Sequence, residues 1–427
     1  MTISEFPKAV VKENVDYTVK EITNIIKRYG PRESGNSNCY AAQKHLKKEM
    51  DTFCDETGFE EYPLAPKAFL HFTKTVSLLF IAAVVIPLLL VFLNVFHGVG
   101  PNVFFVPQIL AGCAALIAIV VAFIQLGLYL PCCDIFYKKQ PAHNFYAVRK
   151  PKGEVKKRIV ISGHVDAAYE WRHLLYSKHV NLMFPLMAFT ICGAILSVVV
   201  SIIAIVASNK DMGAFGEWMV NYGFYLHFIT VLAMITLFYF VDFSTISPGA
   251  NDNLTGTYAA VCAIRMLDMA GVELEQTEVV AMITDGEEAG LKGTTAWAKN
   301  HKDEYTNGDV ETAVLCVDTL CDMDYFNVYS KDMNSLVKND KDFSDFVLAA
   351  GSDAGYGDMK FGSVFMGASD AAAFSKAGIK ATALAAMDPA PADYYHNRRD
   401  NFDRLNPEAI EAGFKVVLNT ILKYDED

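Results

Sequence analysis

Two adjacent glutamates, Glu287 and Glu288, follow the apolar run 279–284 in a chain that also carries His164, Asp166, Asp252, Asp318 and His396. Those residue types could build a two-metal hydrolytic centre. A paired zinc site needs about one histidine and one carboxylate per metal, a carboxylate shared between the metals, and a spare carboxylate to take a proton from water. Neighbouring carboxylates in a glycine-flanked turn repel each other unless something positive lies between them. One of the pair can therefore bind a cation while the other, turned away, acts as a general base. His164 and Asp166, two apart at a strand end, point the same way along the pleat, so Asp166 is placed to fix the His164 ring.

Each motif also has a plainer reading. His-x-Asp can be a satisfied structural histidine, and Asp252, in Ser247-Pro-Gly-Ala-Asn-Asp-Asn-Leu-Thr-Gly256, can be a helix cap or an Asx-turn. The glutamates can be an exposed acidic turn, and His396 a lone surface histidine. Asp322, four residues after Asp318, is a second choice of ligand behind the residue at the strand end.

The elements that must position these side chains alternate between strand and helix patterns. Residues 158–162 read as a strand ending at Gly-His-Val-Asp, 254–270 as an amphipathic helix, and 277–284 as a strand ending at Asp-Gly-Glu-Glu. Further strands fall at 312–317 and 380–386, a short helix at 369–377, and a terminal helix at 407–422 with proline at its start. The candidate ligands sit where strands stop. This predicts an α/β fold, a mixed sheet with helices on both faces and its site at the carboxyl ends of the strands.

Part of the chain is lipid-like. Its 427 residues include 37 Lys and Arg and 49 Asp and Glu, a net charge of −12 that argues against a nucleic-acid partner. Yet no charged residue occurs from Thr75 to Cys133, room for two crossings at roughly 20 residues each. Helices are predicted at 76–96 and 103–130, joined by a Gly-Pro turn at His97–Asn102, and a second pair at 181–207 and 222–241. These make four transmembrane helices in two hairpins. Lys74, Lys138, Lys139, Arg172 and Lys178 flank the large segments, against Lys210 alone in the short turns, which predicts a cytoplasmic location for the former in a multi-pass protein of the cell membrane. Residues 1–28 lack a secretory signal pattern. Nine irregularly spaced cysteines suit free thiols.

In order along the chain, Gly-His-Val-Asp, Gly-Ala-Asn-Asp-Asn-Leu-Thr-Gly, Asp-Gly-Glu-Glu-Ala-Gly, Val-Asp318, Ala-Ser-Asp370 and Tyr-His-Asn-Arg-Arg-Asp400 resemble the co-catalytic zinc peptidases that include bacterial leucyl aminopeptidases and glutamate carboxypeptidase. The likeness spans nearly all the soluble sequence. It implies that His164, Asp252 and Asp318 hold one Zn2+ while Asp252, Glu288 and His396 hold the other, with Asp252 bridging. Co2+ or Mn2+ would also suit such ligands. It further implies that Glu287 takes a proton from the metal-bridging water and that Asp166 supports it. Tyr394 or Tyr395 would contact the oxyanion. Arg398 and Arg399 could grip a substrate carboxylate, or form a solvated basic turn.

The implied function is a membrane-anchored aminopeptidase. The alternatives are a carboxypeptidase or N-acyl-amino-acid hydrolase of the same fold, or a non-catalytic membrane scaffold. The expected division is 1–75, 131–180 and 242–427 for the peptidase domain, with hairpins at 76–130 and 181–241. Soluble relatives lack these hairpins, and their step from His164 to Asp252 is far shorter. Ala371 stands where they often carry histidine. A hairpin that leaves and returns beside the site suggests a substrate that is amphiphilic or delivered from lipid. The small residues Ala111-Gly-Cys-Ala-Ala115 offer a homodimer contact.

Overall fold

A computed structural model describes residues 3–93, 101–176, 182–390 and 392–427. The chain divides into two compact units: residues 1–66, 138–170 and 244–427 form one, and residues 67–137 and 171–243 the other.

The strands, in chain order, are β1 (Glu56–Leu64), β2 (Gln140–Arg149), β3 (Lys157–His164), β4 (Tyr169–Trp171), β5 (Val241–Ile246), β6 (Thr277–Thr284), β7 (Glu311–Leu320), β8 (Phe326–Asp332), β9 (Val337–Lys338), β10 (Lys360–Ser363) and β11 (Ala381–Ala386). Nine of them form one mixed sheet in the order β1-β2-β6-β3-β7-β11-β8-β10, with β9 beside β8. The centre is parallel: β3 lies between β6 and β7, and β11 follows β7.

The central strands alternate with period two between two cores. Ile159 and Ile161 of β3, with Val279, Ala281 and Ile283 of β6, face a core built with the helices Lys8–Tyr29, Ser37–Met50, Gly256–Met269 and Pro407–Glu426. Val160, Val280, Met282 and Val314 face the opposite core, closed by Trp297 and Tyr305 of helix Lys292–Asn307 and Phe374 of helix Asp370–Ala377. Burial on both faces explains why these strands read as continuous apolar runs. The predicted α/β class holds. One strand is longer than expected: β7 runs to Leu320, so Asp318 lies inside it rather than after it.

The second unit is helical. Helices Ala68–Phe92, Phe105–Gly127, Met183–Asn209 and Gly213–Phe240 are each long and apolar enough to cross a membrane. The fourth carries a 3-10 turn, Gly223–Leu226, that joins Gly213–Tyr222 to His227–Phe240. Two of the helix starts differ from the sequence reading by eight or more residues. The first helix begins eight residues earlier, because Lys74 is accommodated: its ammonium donates to the Phe238 carbonyl and lies 4.3 Å from that ring. The fourth helix begins at Gly213, nine residues before the expected 222. Residues 97–100 of the turn placed at His97–Asn102, Lys178 and the second hairpin's start at Asn181 lie outside the described residues.

Inside this unit Ser197 and His227 hydrogen-bond each other, and the Ser201 hydroxyl donates to the Gln108 carbonyl at 2.6 Å. A Cβ on Gly112 would stand 2.1 Å from the Ser201 hydroxyl oxygen. Ala111 and Ala115 are buried beside it. Of the small residues 111–115, Ala111, Gly112 and Ala115 therefore pack within the unit, while Cys113 is exposed. All nine cysteines are free thiols.

Candidate metal centre

The site forms where β3, β6 and β7 end together, because parallel pairing brings their carboxyl ends into line: His164 of β3 lies opposite Thr284 of β6. Glycine then allows a close approach. A Cβ on Gly163 would lie 2.4 Å from the Gly256 carbonyl carbon, and one on Gly256 would lie 2.1 Å from the Val317 oxygen. Only a bare backbone lets the start of helix Gly256–Met269 rest on β3 and β7. Thr257 Oγ1 donates to the His164 carbonyl at 2.8 Å, Asn253 Nδ2 donates to the Val317 carbonyl at 2.9 Å, and the Leu320 amide donates to Thr255 Oγ1 at 3.0 Å. That ladder sets Asp252 beside His164 and Asp318.

His164 Nε2 stands 3.4 Å from Asp252 Oδ1 and 3.8 Å from Glu287 Oε2. His396 Nε2 stands 3.2 Å from Asp252 Oδ2 and 3.4 Å from Glu288 Oε1. Three ligand groups result, each with its donor atoms within 4.8 Å of one another: His164-Asp252-Asp318, Asp252-Glu288-His396 and His164-Glu287-Glu288. The structure thus brings together six of the seven residues singled out from sequence. Asp166, the seventh, acts behind them. Its main-chain oxygen lies 3.1 Å from His164 Nδ1, closer than its carboxylate at 3.5 Å. The carboxylate instead accepts from the Glu287 and Glu288 amides and, at 2.6 Å, from the Ser34 hydroxyl.

The electrostatics describe a buried anionic cluster. Burial, reinforced by neighbouring carboxylates, pushes Glu287 and Glu288 well above the usual carboxylate range and Asp318 up to about 7. Burial would raise Asp252 too, but the imidazoles of His164 and His396, 3.4 and 3.2 Å from its carboxylate, hold it below that range. Burial would depress His164, yet Glu287, Asp166 and Asp252 hold it well above its ordinary value. Among the described residues, His164 Nε2 and Glu288 Oε1 are buried with no hydrogen-bond partner. Orphaned donor atoms, two imidazoles and carboxylates that repel one another are what a pair of dications would satisfy.

Several supporting residues went unsingled in the sequence. Asp400 accepts from the Asn251 amide and side chain, both at 2.9 Å, and from the Asp252 amide at 3.0 Å. It tethers the Asp252 loop to the His396 turn. Arg32, wholly buried, donates to the carbonyls of Val165, Pro248 and Gly249, stapling both ligand loops from below. Asp285 accepts from the Gly35 amide, and Asp370 from Thr284 and Thr294. The Asp400 signal was present in the Tyr-His-Asn-Arg-Arg-Asp motif; nothing adjacent to Arg32 announces it.

The substrate-contact candidates are largely engaged elsewhere. Arg398 forms a bidentate pair with buried Glu170, at 2.7 and 2.6 Å, and Arg399 donates to the Asp393 carbonyl. The Tyr394 hydroxyl donates to Asp322, which lies outside all three ligand groups. Tyr395 stacks on His396 with ring centroids 3.7 Å apart.

Residues 236–421 match the sequence profile of Peptidase family M28. The fold is that of zinc exopeptidases. A Zn-dependent exopeptidase from Parabacteroides distasonis is 15% identical, with a TM-score of 0.52, covering 95% of this chain and 97% of its own. The zinc aminopeptidase BSAP from Bacillus subtilis is 12% identical, with a TM-score of 0.53 and coverage of 96% and 94%. A Bacteroides thetaiotaomicron glutaminyl cyclase, bound to N-acetylhistamine, is 15% identical, with a TM-score of 0.53 and coverage of 95% and 97%. No curated protein matches the chain.

Proposed function

We propose, from the M28 profile match and the zinc-exopeptidase fold, that this chain is a membrane-anchored dinuclear zinc aminopeptidase. One observation carries the reading: two ligand triads share Asp252, and Glu287 belongs to neither. His164, Asp252 and Asp318 would hold one zinc, and Asp252, Glu288 and His396 the other. When bound, such a pair polarises a scissile carbonyl and lowers the pKa of the attacking water.

The chain's own groups do the rest. Glu287, outside the two triads that share Asp252 and half-buried, takes the proton from water and returns it to the leaving amine, a transfer worth roughly 10²–10⁴-fold. Asp166 fixes His164 through its carbonyl and holds the Glu287–Glu288 backbone through its carboxylate. Commitment of the Tyr394 hydroxyl to Asp322 favours Tyr395 for contact with substrate. The Glu170–Arg398 pair counts against a carboxylate grip, and so favours attack at the amino end over the carboxyl end. Four long apolar helices support membrane anchoring, with the first unit cytoplasmic by charge bias.

The test is cleavage of a library of peptides and N-acyl-amino acids by zinc-loaded protein, read by mass spectrometry beside Glu287→Gln. Loss of amino-terminal residues by wild type alone supports the proposal. Release of carboxyl-terminal residues or acyl groups, or ammonia loss from amino-terminal glutamine, would move the activity within the fold. Identical spectra from both proteins would overturn it.

A further inference from the structure

The helical unit encloses a cavity of about 140 Å3. All four long helices line it, among them through Phe72, Ala118, Met187, Leu237 and Phe240, and the lining is almost wholly apolar. An apolar cavity of about 150 Å3 stays dry and accepts hydrocarbon. It reaches the surface: Ile191, one of its walls, is 54% exposed. The surroundings are equally apolar, with Leu78, Leu79, Phe92 and Ile202 each more than half exposed.

Two cations, Lys74 and Arg172, each follow or precede a residue that lines this cavity. His173 lines it, and Arg172 is the preceding residue. Leu237 and Phe240 line it on the fourth helix, and between them the Phe238 carbonyl receives Lys74. Lys74 and Arg172 converge on a single ring, lying 6.0 and 5.9 Å from the Tyr239 centroid. Among the described residues, the charges acting on Lys74 are Arg172 and one carboxylate, Asp242, which takes the Arg172 Nη2 at 2.6 Å. An ammonium has three donors and a guanidinium five, so these contacts leave donors for an anion.

We infer that this is a binding site for one anionic phospholipid, with a few methylenes of one acyl chain in the cavity, the rest of that chain along the exposed apolar helix faces, and its phosphate at Lys74 and Arg172. Cytoplasmic leaflets carry acidic lipids, and each Lys or Arg near them adds attraction for such headgroups. The inference rests on the helices being membrane spans, and is independent of the peptidase chemistry.

The full chain, purified in mild detergent, is incubated with phosphatidylglycerol or phosphatidylcholine of identical acyl chains, and retained lipid is counted by native mass spectrometry. The same protein is offered to liposomes of each composition. Wild type should retain one phosphatidylglycerol in preference to phosphatidylcholine. Lys74→Gln should weaken that preference roughly fivefold, the share of one cation. Ala122→Leu, or Ala118→Leu should the first fail to fold, narrows the cavity and should lose phosphatidylglycerol. Equal retention of the two lipids by wild type, or undiminished retention by a folded cavity-filling variant, would overturn the site. A chain that enters neither liposome would overturn the spans beneath it.

Discussion

In the proposed mechanism the centre turns on a division of labour between two neighbouring glutamates. Glu288 lies 3.4 Å from His396, while Glu287 belongs to neither triad that shares Asp252. Glu287→Gln keeps the shape and removes the base, so initial rates should fall about 10²–10⁴-fold with zinc content unchanged. Asp400 acts one step away, holding the Asn251 and Asp252 amides. Asp400→Asn should therefore weaken zinc binding by roughly 10–100-fold, the usual cost of a lost supporting contact, as read by competition with a chelator. All the candidate ligands but Asp318, which lies inside β7, stand at the end of a strand or in a turn, which made them legible in sequence. Arg32 and Ser34 were not, since they act on groups more than a hundred residues further along the chain.

At the scale of elements, two glycines decide whether the ligand loops can meet. In Gly256→Ala the new Cβ would press on the Val317 carbonyl, a contact that backbone on both sides cannot easily relieve. The substitution should destabilise the first unit by at least about 1–3 kcal/mol, visible as a lower melting temperature. Helix packing carries a pH signature as well. Glu49, on helix Ser37–Met50, accepts from Tyr17 of helix Lys8–Tyr29, and burial, opposed by Arg265, raises it to about 7. A carboxyl raised in the folded state contributes stability that is full below its ordinary pKa of 4.5 and lost as pH climbs through about 7. Glu49→Gln should melt with wild type near pH 4.5 and increasingly above it toward pH 7.5, in thermal scans across that range. Strand positions were readable from apolar runs, because burial on both faces leaves little else. The Asp318 boundary was misplaced because an acidic residue inside a strand looks, in sequence, like its end.

Across the whole molecule, hydropathy alone located the four long helices, since about 20 apolar residues suffice to mark a span. Their packing was hidden: Gly112 seats Ser201, and Ser197 meets His227, contacts between residues far apart in sequence. The sheet order was hidden for the same reason, because β2 pairs with β6 and β3 with β7 across long intervals. What the fold accomplishes is to gather ligands from five separate stretches onto one end of that sheet. The account is tested most directly by counting metal in the purified chain by elemental analysis, beside Asp252→Ala, which strips the residue common to both triads. Two zinc ions per wild-type chain, with loss of both in the variant, is the result this account predicts. Peptide cleavage by a wild-type chain without stoichiometric metal, or a variant that keeps two zinc ions, would contradict it.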